Sequence, residues 1–302
     1  MSEIVNLTPL QYYSRPGRMT DPGNEARMFA DLPLEVPALR DVVQGLLIHV
    51  FWAQRYGLTL SAEREEELQI RSVSEKLKRI RKLTDRPLTE PRPLDSRLVG
   101  NCRDFSLMLC AMLRHQGVPA RARCGFAKYF EPNHFEDHWV CECWQGVERW
   151  AMVDAQLDAL QREKLGISFD PLDVPDDQFL TGGKAWEMCR TGKANPDAFG
   201  ILDLHGLWFV RGNLIRDLAA LNKMELLPWD SWGLIDTDEK DLSKLDLTLL
   251  DQVAAMTQID NGRFDEIRSI YQNNECLRVP PVIRSHVKTG VQTVDIENQR
   301  KS

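Results

Sequence analysis

The sequence predicts an α+β fold in which a cysteine-bearing helix packs on an antiparallel sheet, with additional helical flanks. Three observations predict it. Asn101-Cys102 opens a run in which Phe105, Met108, Leu109, Met112 and Leu113 recur at helical spacing. Ala120, Ala122, Cys124 and Phe126 then alternate with Arg121 and Arg123, as a half-buried strand does. Finally, HWVCECW (138–144) and ERWAMVD (148–154) flank Gln145-Gly146-Val147, the pattern of a β-hairpin.

Bulk properties bound the function. A chain of 302 residues that is 43% hydrophobic can bury a sizeable core as one large domain or two smaller ones. Its net charge of -7 lacks the basic face that nucleic-acid binding needs, so no nucleic-acid partner is expected. The N-terminus, MSEIVNLTPLQYY, has neither the charged nor the apolar region of a signal peptide. The longest apolar run, Leu46 to Ala53, is interrupted by His49 and falls far short of the roughly 20 residues a bilayer span needs. The expectation is a cytoplasmic protein without membrane contact. Its 7 cysteines are an odd number in a chain large enough to need no staples. In a reducing compartment such residues serve as buried hydrophobes, metal ligands or nucleophiles.

Taken in order, residues 1–36 are rich in Pro, Gly and polar residues and read as an extended arm. Val42, Val43, Leu46, Leu47, Val50 and Phe51 predict a helix over 39–56, ended by Gly57. A second helix starts at Ser61 as N-cap, with glutamates first and Lys76, Lys78, Arg79, Arg81 and Lys82 at its far end, complementing the macrodipole. That basic end reads as a solvated face balanced by glutamate rather than a phosphate site. Residues 89–98 form a loop. Beyond Asp158, helices are expected around 184–190 and 213–224 and within 246–273. The expected division is an N-terminal arm and helices (1–90), a catalytic core (91–165), a mostly helical C-terminal extension (166–284) and a flexible polar tail (285–302).

The chemistry concentrates in 100–158. Asn101 is the expected N-cap, placing Cys102 in the first helical turn, where N–H groups and the positive dipole end favour a thiolate and can donate to an oxyanion. His138 and Asp154 supply a base and its orienter if the hairpin register allows. A two-residue loop at 145–146 would pair His138 with Val153 and send Asp154 to the opposite face. A three-residue loop at 145–147, or a bulge with the same effect, is expected instead, setting Trp144 against Glu148 and His138 directly opposite Asp154, within reach of an imidazole–carboxylate hydrogen bond. Asp158 lies about 13 Å further along, too far to replace Asp154.

With those residues in view, GNC before an amphipathic helix, then LRHQGVPARARCGF, DHWV and RWAMVDAQLD, the stretch from about 95 to 160 resembles the core of the transglutaminase-like superfamily. The resemblance implies a papain-like α+β core with the triad Cys102, His138 and Asp154. It also implies acyl transfer on amide bonds, with a peptide or other amide-containing substrate and no cofactor. Arg103 stands where the animal transglutaminases carry Trp, and their immunoglobulin-like flanks are missing, so hydrolysis is expected over cross-linking. The alternative expectation is a non-catalytic binding protein on the same scaffold.

Other motifs are weaker. Cys141-x-Cys143 has no second Cys/His pair, so core packing is expected and no metal site. Gly182-Gly183-Lys184 lacks the upstream glycine and the following Ser/Thr of a P-loop. FDPLDVPDD (169–177) reads as a plain loop, and His49 and His205 read as core histidines. Trp208, Trp229 and Trp232, with Arg211, Asn213 and Arg216, either back the sheet or wall a pocket, core packing being favoured.

Overall fold

Thr8 and Gln11 close a capping box that starts α1 (Pro9–Tyr13), the first element of the computed structural model, which describes residues 7–146, 149–258 and 261–297. The chain divides into two compact units, residues 1–122 with 139–175 and residues 123–138 with 176–302. Two strands, Ala120–Ala127 and Phe135–Gln145, cross the division and contribute to both.

In the first unit, the expected arm is packed rather than extended from residue 7 on, residues 1–6 lying outside the described residues. Tyr13 is buried with its ring 5.7 Å from that of Trp150, and Phe29 sits edge-on to His115 at 5.2 Å. Aromatic anchors override the Pro/Gly composition around them. The helix expected over 39–56 is also corrected: α2 (Val36–Leu46) stops at Leu46 and the chain continues as β1 (Leu47–His49). Leu46, Leu47 and Ile48 are buried in succession, which a one-sided helix does not allow but a short enclosed strand does. The helix expected from Ser61 breaks as well. Ser61 caps α3 (Ala62–Glu65), and Ser72 accepts from the Glu75 N–H to start α4 (Val73–Leu83) afresh. β2 (Leu98–Gly100) pairs in parallel with β1 and leads directly into α5 (Cys102–His115).

α5 is buried on every side from Cys102 to Arg114, more than the one-sided stripe expected. Its polar side chains therefore find internal partners: Arg114 donates to the Ala120 carbonyl and to Thr20 Oγ1. Gly117, at φ 77°, lets the chain turn out of the helix into β3 (Ala120–Ala127). β3 is buried on both faces, not half exposed, because its arginines are paired; Arg121 binds Glu142 and lies 4.1 Å over the Trp150 ring. β4 (Phe135–Gln145) pairs antiparallel with β5 (Arg149–Val153), and Asp158 caps α6 (Ala159–Leu165).

In the second unit, β6 (Phe179–Thr181) pairs antiparallel with β3 and leads into α7 (Gly182–Arg190). β7 (Phe199–Ile201) runs parallel to the start of β4 and antiparallel to β8 (Leu204–His205). α8 (Leu207–Leu221) is buried along nearly its whole length, and its Asp217 takes a two-pronged contact from Arg123 at 2.9 Å. β9 (Asp230–Ser231), α9 (Lys244–Thr257) and α10 (Phe264–Asn273) follow. The stretch from Ser285, read as a flexible tail, begins inside a strand instead. β10 (Val282–Val287) and β11 (Gly290–Asp295) form a hairpin whose Ile283 and Ser285 face inward. The Gly182-Gly183 pair has a packing reason: Cβ atoms there would meet the Asn213 carbonyl at 2.6 Å and Thr257 Oγ1 at 2.3 Å. No helix among the described residues is long and apolar enough to cross a membrane.

Candidate active site

Cys102 is the first residue of α5, as the Asn101 signal predicts, and is 8% exposed. A capping box fixes the turn: Asn101 Oδ1 accepts the Asp104 N–H at 3.3 Å, and Asp104 Oδ2 accepts the Asn101 N–H at 3.1 Å. A cap of this kind stabilises a helix start by about 1 kcal/mol. One turn on, Ser106 Oγ donates to the Cys102 carbonyl at 3.1 Å. The thiol is thus carried by a turn with little freedom to move.

A buried ionic cluster lies behind that turn. Asp104 Oδ1 is 2.9 Å from Lys76 Nζ and 3.0 Å from Arg103 Nη1, and all three side chains are fully buried. Burial draws the Lys76 ammonium below its ordinary range, against the opposing pull of Asp104. Glu67 anchors the approach to the same turn, accepting the Val99 N–H at 2.8 Å and Arg79 Nε at 2.8 Å. Lys76, read from sequence as part of a solvated basic helix end, is instead fully buried. A signal did exist: Lys76 falls on the helix stripe of Val73, Leu77 and Ile80, where a solvated lysine has no place.

Asp154 follows the last residue of β5 and is fully buried. Its N–H donates to the Pro171 carbonyl at 2.8 Å, and its Oδ1 accepts the Gln156 N–H at 3.0 Å. Beyond it runs a polar chain: Gln156 Nε2 donates to Gln161 Oε1, Gln161 Nε2 to the Tyr56 hydroxyl, and that hydroxyl to Asp158 Oδ2 at 2.5 Å. Burial, then the hydrogen bond to Asp158, pushes the Tyr56 hydroxyl well above its ordinary range. Asp158 is the α6 cap and a partner of Tyr56. Tyr56, Gln156, Asp158 and Gln161, with His49 and Phe105, line a cavity of about 10 Å³, room for roughly one water.

His138 belongs to the second unit's share of β4. It is 2% exposed and ringed by aromatics, its centroid 4.9 Å from Phe130, 5.9 Å from Tyr129 and 6.4 Å from Phe179. Next to it, burial raises Glu136 to about 7, against the pull of His138. Asp137 Oδ1 accepts from Asn213 Nδ2 at 2.7 Å.

The hairpin register departs from expectation by two residues. Trp144 pairs with Trp150 and Gln145 with Arg149, not Trp144 with Glu148, and the ladder ends at Cys141–Val153. His138 and Asp154 both fall beyond that last pair, so the ladder does not set them directly opposite. The preference has a physical source. The observed register stacks two tryptophans edge to face at 5.4 Å, where the expected one would oppose Trp144 with a glutamate. Val147 and Glu148, at the tip, lie outside the described residues.

The remaining candidates sort simply. Cys141 Sγ lies 3.2 Å from Cys110 Sγ under α5, and burial pushes the Cys141 thiol well above its ordinary value and that of Cys143 to about 12. Among the described residues, no group of three or more His, Cys, Asp or Glu is set to hold a metal ion. In the acidic loop, Asp173 makes a two-pronged contact with Arg149 at 2.8 Å. The basic end of α4 is paired: Arg79 with Glu67 and Arg81 with Glu25. His49 is buried as expected, but His205 is exposed, its Nδ1 3.5 Å from Asp197, because β8 is only two residues of surface hairpin. Trp232 is buried and Trp208 is 43% exposed, so the tryptophans split between core and surface.

Residues 59–155 match the family model of the transglutaminase-like superfamily. The fold is α+β with a papain-like, transglutaminase-like core, and α5, β4 and β5 fall within the matched segment. No curated protein matches the chain. A solved structure of a candidate cysteine protease from Cytophaga hutchinsonii is similar at 21% identity and a TM-score of 0.31, over 52% of this chain and 45% of that one. The chain thus spans less than half the length of that protein.

Proposed function

We propose that the protein is a cysteine-nucleophile enzyme that transfers acyl groups from amide bonds, hydrolysing peptide or other carboxamide substrates rather than cross-linking them. The observation that carries this reading is Cys102 at the first position of a capped helix buried from Cys102 to Arg114, inside the segment that matches the transglutaminase-like superfamily. A thiol there meets first-turn N–H groups and the positive end of the helix dipole, which favour the thiolate. In the proposed reaction His138 takes the thiol proton and Asp154 orients and charge-balances the imidazole. The thiolate adds to the carbonyl carbon and the imidazolium protonates the departing amine. Water then resolves the thioester, restoring the thiol. The Cys102 N–H is one donor to the oxyanion of each step.

The test is amine or ammonia release from a pool of short peptides bearing backbone and side-chain amides. The full chain should release it, and Cys102→Ala should fall by about 10³-fold or more. Equal release by the variant would remove Cys102 from the chemistry.

A further inference from the structure

The second unit carries a carboxylate without a partner beside the proposed base. Glu136 lies two residues before His138 on β4, and alternate residues of a strand project to one face. It is half-buried and, among the described residues, makes no hydrogen bond or ion pair. Its partner across the ladder is Gly200, which brings no side chain to cover it. The neighbouring acids differ: Asp137, on the opposite face, is held by Asn213, and Asp217 by Arg123.

The surroundings of Glu136 define what would complete it. The charges that bear on it are those of His138, Glu131 and Asp137, with no lysine or arginine among them. Burial therefore goes largely uncompensated, and a cation brought to the carboxylate would offset that cost. Apolar walls stand beside it. Tyr129 and Phe130 are half-buried, their rings 4.9 Å from each other and 5.9 and 4.9 Å from that of His138. Such rings take the methylene stem of a long basic side chain and attract the cation it carries. Glu131, exposed on the same loop, adds negative charge.

We infer that Glu136 is a specificity-determining residue whose carboxylate pairs with a lysine or arginine side chain of the substrate, next to the amide on which His138 acts; this rests on the acyl-transfer reading above. The basic side chain lies along Tyr129 and Phe130 with its charge at Glu136. The pairing forms no covalent bond and moves no proton. His138 offers Glu136 a positive charge only while protonated, whereas the substrate's cation stays charged throughout the reaction. The substrate class narrows accordingly, from amides in general to peptides with a basic residue beside the reacting amide.

The experiment uses the full chain at pH 8, above the value of about 7 to which burial raises Glu136. It is offered two pools of short glutamine-bearing peptides that differ only in carrying lysine or its uncharged isostere norleucine beside each amide. Initial rates of ammonia and amine release at limiting concentration report kcat/KM. The wild type should favour the lysine pool by about tenfold to a hundredfold, the range of a hydrogen bond to a charged group. Glu136→Gln should bring that ratio to within about twofold of unity, Glu136→Asp should keep part of it, and Glu136→Lys should reverse it. Equal wild-type rates on the two pools would overturn the assignment. So would a parallel loss on both pools in Glu136→Gln that leaves the ratio unchanged, which marks a carboxylate acting through His138. Release that survives in Cys102→Ala is seen with Glu136 intact, and would overturn the acyl-transfer reading itself. Absence of release from either pool by the wild type would overturn that reading and this assignment with it.

Discussion

Asp154→Asn is expected to lower kcat by about 10³–10⁴-fold while leaving KM within a few-fold and the fold intact. The substitution is nearly isosteric at a fully buried position. Asp154 Oδ1 accepts the Gln156 N–H, and an asparagine carbonyl oxygen can accept the same bond, so the turn after β5 keeps its geometry. What the amide lacks is the charge that orients the proposed base and balances its imidazolium form. Steady-state kinetics beside a thermal melt separate the two effects. An unchanged melt with near-wild-type kcat would remove Asp154 from the triad, and a collapsed melt would mark it as structural.

The second large effect is on stability. Lys76→Met is expected to destabilise the protein by about 3 kcal/mol, the lower end of what breaking a buried ion pair costs. The methionine fills the space left by the lysine stem, so the loss comes from Asp104 keeping a buried charge with Arg103 as its remaining cation. Urea unfolding should show a lower midpoint with an unchanged slope. An unchanged midpoint would mean that the pair contributes nothing to holding the turn that carries Cys102. Adding Asp104→Asn to Lys76→Met removes the orphaned charge, and should recover part of the loss if that charge is its source.

Legibility followed the range of the interaction. The start of α5 was readable because its determinants are local: Asn101 and Asp104 three residues apart, an apolar period behind them, and Gly117 at the end. The elements broken by distant partners were not. Whether Leu47-Ile48-His49 continues a helix or becomes a strand depends on Leu98-Val99-Gly100, some fifty residues away. The register of β4 on β5 turned on one aromatic pair, Trp144 with Trp150, weighed against an equally short turn. At the site, Cys102, His138 and Asp154 stand out by residue type and order. Lys76 does not, since a lysine towards the basic end of a helix reads as solvated until packing shows what it faces.

The central claim is that Cys102 is an activated thiol, and the measurement nearest to it is brief iodoacetamide labelling at pH 6 to 7 with mass mapping of each cysteine. Burial pushes up the thiols of Cys141, Cys143, Cys189 and Cys276. Cys102 should therefore carry the label well before any of the other six. Labelling spread evenly over the thiols, or absent from Cys102 while Cys189 and Cys276 react, would contradict the claim and favour a non-catalytic binding scaffold.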